Sequence, residues 1–316
     1  YPARPPERTR WILERRGRRE ALDPLRPAGF LLERERAETG EIVEVATVFL
    51  TNRECPWHCL MCDLWTRTLT QPAPAGAIPR QIRTALAALP PARRIKLYNA
   101  GSFFDPKAIP PGEYEEIADE LAPFDRVIVE SHPALVGEAC FRFASLLDHP
   151  LEVAMGLETV HPTLLPRLNK GMPLAMFRRA ADALARRGVA LRSFVLVGLP
   201  FLSREESLDW CHRSVQFAFD CGSTAVSLIP TRAGNGALDA LADRGEFLPP
   251  TLGMLEEASG CGIQLSRGCV FADLWDLDRL RTCGSCFAAR RRRLETMNLE
   301  QTVPAPVACQ DCGGGR

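Results

Sequence analysis

Cys55-Pro56-Trp57-His58-Cys59-Leu60-Met61-Cys62 is the segment from which the rest of the chain can be interpreted, and it directly follows an apolar run over residues 42–50. These three cysteines place three thiols on one short loop at the end of a predicted strand. A cubane 4Fe–4S cluster takes one cysteine per iron, so a three-thiolate loop leaves one iron free for another ligand. The alternative is a structural zinc loop. Zinc usually closes on four ligands, and neither a histidine pair nor a second CxxC lies between residues 63 and 122.

Composition limits the class of protein. A chain of 316 residues with 46% hydrophobic residues is large enough for one α/β barrel or two domains. The formal net charge of zero argues against attraction of the whole surface to nucleic acid or membrane, although a local basic patch could still bind RNA. Thiolate ligands to iron require a reducing compartment, and residues 1–19 lack the apolar core of a signal peptide. We therefore expect a cytoplasmic protein without a membrane span.

A repeated alternation of strand and helix patterns begins at residue 42. Short β-rich runs are predicted to be strands at 42–50, 94–99, 126–130, 151–157, 189–197 and 224–229. Helical patterns separate them at 79–89, 113–121, 135–147, 173–187 and 204–219. Six β/α units predict a parallel sheet with right-handed crossovers. The expected fold is α/β, a partial (β/α)6 TIM-like barrel over residues 42–232, with an N-terminal helical extension (1–41) and a C-terminal cysteine-rich metal-binding region (233–316).

The N-terminal extension is rich in arginine. Its arginines alternate with glutamates and are interrupted by Pro24 and Pro27. This pattern is typical of a solvated helix packed on the outside of a domain, and the alternative is an arm that contacts RNA.

Chemically useful residues follow the predicted strands. In a parallel barrel the reactive groups lie at the carboxyl ends of the strands. Gly101 follows the second strand, where it could let a ligand approach the backbone closely or simply form a turn. Glu130 and Glu158 end the third and fourth strands, so both carboxylates should face the barrel mouth and could accept hydrogen bonds from a ribose or an ammonium. Gly198 ends the fifth strand, on an apolar edge that suits a purine ring.

These segments together carry a family resemblance. They are the cysteine loop, Gly101-Ser102-Phe103-Phe104-Asp105-Pro106, Glu130-Ser131-His132-Pro133, Gly156-Leu157-Glu158-Thr159, Leu168-Asn169-Lys170-Gly171 and Gly198-Leu199-Pro200. In order and spacing they resemble the radical SAM superfamily, in the branch that contains the Elongator catalytic subunit, the oxygen-independent coproporphyrinogen oxidases and the tRNA methylthiotransferases. Within that branch the chain is most similar to the radical SAM subunits of archaeosine synthases, which act on a modified 7-deazaguanine in tRNA. The resemblance covers about residues 42–214.

The resemblance implies cofactors and partners. The open iron of the cluster on Cys55, Cys59 and Cys62 would chelate S-adenosylmethionine (SAM), and reduction would release a 5′-deoxyadenosyl radical. A reductant such as flavodoxin or ferredoxin, a tRNA substrate and a partner subunit are expected. The residues expected to contact the cofactor are Met61, Ala100, Gly101, Ser102, Glu130, Glu158, Arg192, Gly198 and Leu199. No residue is predicted to act on the substrate itself.

A second cysteine pattern lies near the C-terminus. Cys283 and Cys286 form one CxxC element, and Cys309 and Cys312 form another. Four thiolates at this separation are typical of a zinc ribbon, so a zinc ion is the favoured occupant, with an auxiliary 4Fe–4S cluster as the alternative. Two further cysteines, at positions 261 and 269, are near enough in sequence to replace a ligand.

Four consecutive arginines, at 290–293, lie between the two CxxC elements. They could bind RNA phosphates, or they could form a solvated helix face or pair with glutamates of the same chain. Three functions therefore remain open. The chain could be a radical SAM enzyme acting on tRNA or on a free small metabolite, a sulfur-inserting enzyme with an auxiliary cluster, or a non-catalytic metal-binding module for RNA.

Overall fold

The computed structural model describes residues 1–313, and its centre is one curled sheet of eight strands in the order β1 to β8. Strands β2 to β8 are parallel, and β1 pairs antiparallel with β2. The sheet curls into a half-barrel. The strands are β1 Gly29–Arg36, β2 Ile42–Phe49, β3 Arg94–Tyr98, β4 Arg126–Glu130, β5 Leu151–Glu158, β6 Ala190–Val197, β7 Ala225–Pro230 and β8 Cys269–Ala272.

Helices connect the parallel strands and cover the outer face of the sheet. Helix α7 begins with the capping box predicted by its sequence, in which Ser203 and Glu206 each accept a backbone N–H of the other. None of the described helices is long and apolar enough to cross a membrane. The helices are α1 Pro5–Leu13, α2 Ala77–Ala88, α3 Tyr114–Leu121, α4 Glu138–Leu146, α5 Leu164–Arg167, α6 Leu174–Arg186, α7 Arg204–Asp220, α8 Ala237–Ala242, α9 Leu252–Gln264 and α10 Gly284–Glu300.

The main core lies between the sheet and the helices. Alternate strand residues point outward into it, as Ile95 and Leu97 of β3 do, and both are fully buried. The residues between them, such as Lys96 and Tyr98, therefore point into the half-barrel. Burial of the outward apolar face supplies most of the driving force for folding and fixes which side chains face the interior.

The predicted α/β partial barrel is confirmed. The six predicted strands correspond to β2–β7, with ends within two residues of those in the structure. Strands β1 and β8 were not predicted, so the N-terminal region is not only helical. The division of the chain at residue 232 stays a prediction. Strand β8 lies beyond that residue and pairs with β7 of the same sheet.

A buried layer of charged residues forms the floor of the half-barrel. Glu35 of β1 accepts hydrogen bonds from both terminal nitrogens of Arg192, at 2.7 and 2.8 Å, and from Lys96 Nζ at 2.6 Å. Burial alone would raise the pKa of Glu35, but the two cations overcome this and hold it below its usual range. The floor therefore ties β1, β3 and β6 together across the interior.

Candidate iron–sulfur and cofactor site

The cysteine loop follows β2 at the carboxyl end of the sheet, where the sequence predicts it. Burial raises the pKa of Cys55 to about 12 and that of Cys62 to about 11, and it raises that of Cys59 well above its ordinary value. The backbone N–H groups of Trp57 near Cys55 and of Leu64 near Cys62 oppose this rise. Buried thiols with N–H groups nearby fit a soft metal centre, which binds them as thiolates. The donor set therefore fits the predicted iron–sulfur cluster.

The cysteine loop is fastened to the loops that follow β5 and β7. The backbone N–H of Leu60 donates to the carbonyl oxygen of Leu168 at 2.9 Å. The Asn169 side chain donates to the carbonyl oxygen of His58 at 2.9 Å, and that of Asn235 donates to the carbonyl oxygen of Leu60 at 2.8 Å. Hydrogen bonds to these two segments thus fix the position of the cysteine loop relative to the sheet.

Residues 1–20, here called the N-terminal strap, cover the outer side of the cysteine loop. Glu54, directly before the first cysteine, forms ion pairs with Arg16 at 2.5 Å and with Arg19. The Arg16 side chain is only 8% exposed. Arg8 donates to the carbonyl oxygen of Pro166 at 2.6 Å. The expectation of a solvated outer helix is wrong for these three arginines, because each binds a group of the folded chain.

Lys170 lies at the centre of the site, and sequence analysis missed its role. Its buried ammonium donates to the carbonyl oxygen of Gly156 at 2.6 Å and forms an ion pair with Glu158. It also lies close enough to Cys55 and Cys59 to oppose the rise that burial causes in the pKa of both thiols. The segment Leu168-Asn169-Lys170-Gly171 is one of those that carry the family resemblance, and it could have indicated that this lysine belongs to the site.

The local backbone at Glu158 makes room for this pair. Residue 158 has a positive φ of 64°, next to an irregularity in the pairing of β5 with β6. A Cβ at Gly156 would come within 2.2 Å of Lys170 Nζ. Glycine is therefore required at position 156 while the lysine occupies its present place.

Glu130 anchors the turn that contains Gly101. Its Oε1 accepts the backbone N–H groups of Asn99 at 2.6 Å and of Gly101 at 3.4 Å. Burial raises the pKa of Glu130 to about 7, although these N–H groups oppose the rise. A Cβ on Gly101 would lie 3.2 Å from Cys55 Cβ, and Ala100 has a positive φ of 52°. The structure thus brings the predicted residues 100, 101 and 130 together beside the first cysteine.

Ser102 and His132 extend this contact toward the lysine. The backbone N–H of His132 donates to Ser102 Oγ at 2.7 Å, and His132 Nε2 lies 3.1 Å from the carbonyl oxygen of Lys170. The imidazole stacks on Trp57 of the cysteine loop, with ring centres 3.7 Å apart. Burial and the nearby lysine lower the pKa of His132 to about 4, so this ring is neutral at physiological pH.

Gly198 and Leu199 form another wall of the site. Their backbone N–H groups both donate to Ser207 Oγ at 3.1 Å. Gly198 has a positive φ of 78°, and a Cβ there would come within 2.5 Å of the Pro250 ring. Leu199 belongs to an apolar cluster that also contacts Met61. The predicted residues 61 and 199 therefore lie together beside the cysteine loop.

Arg192 does not join this group. It lies in the first half of β6, away from the carboxyl ends of the strands, and is 3% exposed. Its Nε donates to Glu152 at 2.6 Å, and its other two nitrogens bind Glu35. All its donor groups face the floor, so the structure gives Arg192 a structural position instead of the predicted contact with the cofactor.

The four C-terminal cysteines converge on one point. The sulfurs of Cys283, Cys286, Cys309 and Cys312 all lie within 4.8 Å of one another, and the two closest recorded pairs are 3.7 and 3.9 Å apart. Backbone N–H groups at the start of α10 lower the pKa of Cys283 to about 7. The group has the ligand type and the spacing to bind a metal, and the cysteines at 261 and 269 are not part of it.

The arginine run on α10 is largely used within the chain. Arg290 is 3% exposed and donates its Nε to Glu256 at 2.9 Å. Arg293 donates its Nε to the carbonyl oxygen of Pro304 at 3.0 Å. The interpretation of all four arginines as a phosphate-binding patch is therefore wrong. Arg291 and Arg292 remain on the exposed face of the helix.

Known proteins resemble the chain in sequence and in fold. No family model matches it. It is 26% identical over 295 residues to archaeosine synthase subunit beta of Methanosarcina acetivorans, covering 86% of this chain and 83% of that one. Among solved structures, a radical SAM methyltransferase from Sphaerobacter thermophilus has a TM-score of 0.52 at 16% identity, over 81% of this chain and 79% of that one. Methylornithine synthase has a TM-score of 0.53 at 14% identity, over 80% of this chain and 70% of that one. These likenesses confirm the predicted fold and the resemblance to the radical SAM superfamily.

Proposed function

We propose that this chain, which has the fold of radical SAM enzymes, holds a 4Fe–4S cluster on Cys55, Cys59 and Cys62 and binds SAM at the iron without a cysteine. The observation that carries this proposal is the convergence of the cysteine loop with Gly101 and with the Glu158–Lys170 pair at one end of the half-barrel. When bound, the cluster and SAM supply a 5′-deoxyadenosyl radical that removes a hydrogen atom from an unactivated carbon.

The residues of the chain would bind and orient the cofactor. Lys170 and Glu158 offer opposite charges in a buried place, which suits a ligand with both an ammonium and a carboxylate group. The glycine at 101 leaves the backbone beside Cys55 accessible. Met61 and Leu199 supply an apolar wall against which an adenine ring could pack.

For the substrate, we favour a modified nucleoside in tRNA. The support is the relative named archaeosine synthase subunit beta, whose name also implies a partner subunit. A free small metabolite is the second candidate. The zero net charge and the internal use of Arg290 and Arg293 favour it, because both reduce the surface available for phosphates.

We assign zinc to the C-terminal cysteines. Four sulfurs about 2.3 Å from one zinc ion in a tetrahedron lie about 3.8 Å from each other, close to the 3.7 and 3.9 Å pairs of this site. The terminal sulfurs of a cubane bind four different irons and stand farther apart. This geometry speaks against an auxiliary cluster and so against sulfur insertion. A cytoplasmic location and a reductant such as flavodoxin or ferredoxin complete the proposal.

Anaerobic reconstitution with iron and sulfide tests the metal part of the proposal. The protein should turn brown and bleach with dithionite, and Cys59→Ala should lose the colour because one iron loses its only protein ligand. Cys140→Ala is the matched control, since Cys140 is buried in the outer core and should leave the colour intact. A colourless wild-type protein that binds only zinc would refute the proposal.

A further inference from the structure

The interior of the half-barrel is open above its charged floor. Strand residues that point outward are buried, whereas several that point inward near the carboxyl ends remain half-exposed. These inward residues are Phe49, Tyr98, Glu130, Phe194, Ser227 and Ile229. Solvent therefore reaches part of the inner face of the sheet, from the end of β2 to β7.

An aromatic row lines this space along the ends of β2 and β3 and the middle of β6. It begins at Trp275, whose ring centre is 5.2 Å from that of Phe49. It continues from Phe49 to Tyr98 at 6.4 Å and from Tyr98 to Phe194 at 6.1 Å. These separations are those of interacting aromatic rings. The row thus presents flat apolar surface from the rim of the mouth into the interior.

Trp275 is held in place by its backbone. Its N–H donates to Asp273 Oδ1 at 3.0 Å, and its carbonyl oxygen accepts from Arg232 Nη2 at 2.6 Å. Arg232 and Asp273 also form an ion pair at the ends of β7 and β8. The residue is nevertheless 43% exposed. Trp275 thus presents a large aromatic ring to solvent from a fixed backbone, and tryptophan is enriched among the residues that dominate binding.

Trp275 connects two strands that lie near opposite edges of the sheet. It follows β8, at one edge of the sheet, and contacts Phe49, at the end of β2 near the other edge. The indole ring therefore lies at the rim of the half-barrel between these two strands. Tyr98 adds a phenol hydroxyl to the aromatic row.

We infer that Trp275 is the residue on which a planar heterocyclic ring of the substrate, of the nucleobase class, stacks at the mouth of the half-barrel. The inference rests on the proposed function, because it places this ring at the same mouth of the half-barrel as the cofactor site. A flat ring with polar edges matches the aromatic row and the hydroxyl of Tyr98 better than a flexible aliphatic chain does. Arg232 and Asp273 are positioning residues, since they act through the backbone of Trp275.

Equilibrium dialysis of the reconstituted protein with SAM tests this inference, with guanosine and an unmodified tRNA transcript as probes. Trp275→Ala should weaken binding by roughly ten- to hundredfold, the range expected for loss of one base–aromatic stack. Trp275→Phe, which keeps a flat ring, should stay within about threefold of wild type. Trp210→Phe, on the outer helix α7, is the matched control and should bind as wild type does. Iron content and melting temperature report that each variant is folded.

The outcomes separate this inference from the proposed function. Weakening of tRNA binding alone supports a base presented by RNA, and weakening of guanosine binding as well supports recognition of the base itself. Unchanged binding by Trp275→Ala, equal losses in the Trp210 control, or no binding of either probe to the wild-type protein would overturn the inference. The proposed function is tested separately, by whether the wild-type protein cleaves SAM.

Discussion

At the scale of single residues, the site is built from buried charges that need one another. Lys170 and Glu158 are both about 10% exposed at their side chains and pair directly. Breaking a buried ion pair leaves one charge without a partner, which costs more than losing a surface pair. Each of the two side chains therefore depends on the other to remain charged at this buried place, and together they offer a ligand two opposite charges.

This cost can be measured in the metal-free protein. Lys170→Met should lower the free energy of unfolding by about 3 kcal/mol, because Glu158 is left buried and unpaired. The double variant Lys170→Met/Glu158→Gln should recover most of the loss. Arg267→Ala, which breaks an exposed pair with Asp220, should change stability by less than about 1 kcal/mol. Urea titration measures the stability of the three variants. Equal losses in Lys170→Met and Arg267→Ala would show that burial of the pair is unimportant.

Glu130 should give stability a distinct pH dependence. Its pKa of about 7 in the folded protein lies above the ordinary value of 4.5, so the folded state holds a proton that the unfolded state has released between these pH values. Stability from this group is present below about pH 4.5 and is lost as pH rises toward 7, by up to about 1.4 kcal/mol per pH unit. Glu130→Gln should remove this part of the slope in urea titrations of the metal-free protein. A variant with the same pH profile as wild type would show that Glu130 titrates normally.

At the scale of elements, the N-terminal strap and the cysteine loop form one unit. Glu54 joins them through Arg16 and Arg19, and the loop is also fixed by the segments after β5 and β7. A loop that is held from several sides loses less conformational entropy when its three cysteines bind a cluster.

Loosening the strap should therefore make the cluster less durable. In Glu54→Gln, the reconstituted protein should release iron to a chelator several-fold faster than wild type, because both arginines lose their charged partner. Glu7→Gln is the control, since Glu7 forms only an exposed 3.9 Å pair with Arg4 within the strap. Equal rates of iron release in Glu54→Gln and wild type would show that the strap does not support the loop.

The elements also show what the sequence could predict. Strands β2–β7 are short β-rich runs between helical patterns, so local sequence was enough to find them. Strand β1 could not be found this way, because Glu33, Glu35 and Arg36 make its sequence polar. Glu35 is buried only through Lys96 and Arg192, 61 and 157 residues away. The role of Lys170 was missed for a related reason. Its neighbours are Glu158 at the end of β5 and the thiols of the cysteine loop after β2, which only the fold brings together.

At the scale of the whole molecule, the two cysteine sets have different tasks. The loop cysteines follow β2 at the carboxyl end of the sheet, whereas the C-terminal four join the segment after α10 to the start of that helix. Helix α10 packs against both β1 and β8, the two edges of the sheet. A metal at its start would stabilise the part of the chain that spans the open side of the half-barrel.

Metal analysis of two variants should separate these sites. The triple variant Cys55→Ala/Cys59→Ala/Cys62→Ala should lose its iron and keep about one zinc per chain. Cys309→Ser should lose the zinc and keep the iron, with a lower melting temperature because the end of the chain is released from α10. Iron retained by the triple variant would identify the C-terminal site as a second cluster and restore the sulfur-inserting alternative.

The proposed radical SAM chemistry depends on the three-cysteine loop, and SAM cleavage is the reaction that reports it. The anaerobically reconstituted wild-type protein, reduced with dithionite in the presence of SAM, should form 5′-deoxyadenosine, and the triple cysteine variant should form none. Formation of 5′-deoxyadenosine by both proteins, or by neither when the wild type carries a full complement of cluster iron, would contradict the account.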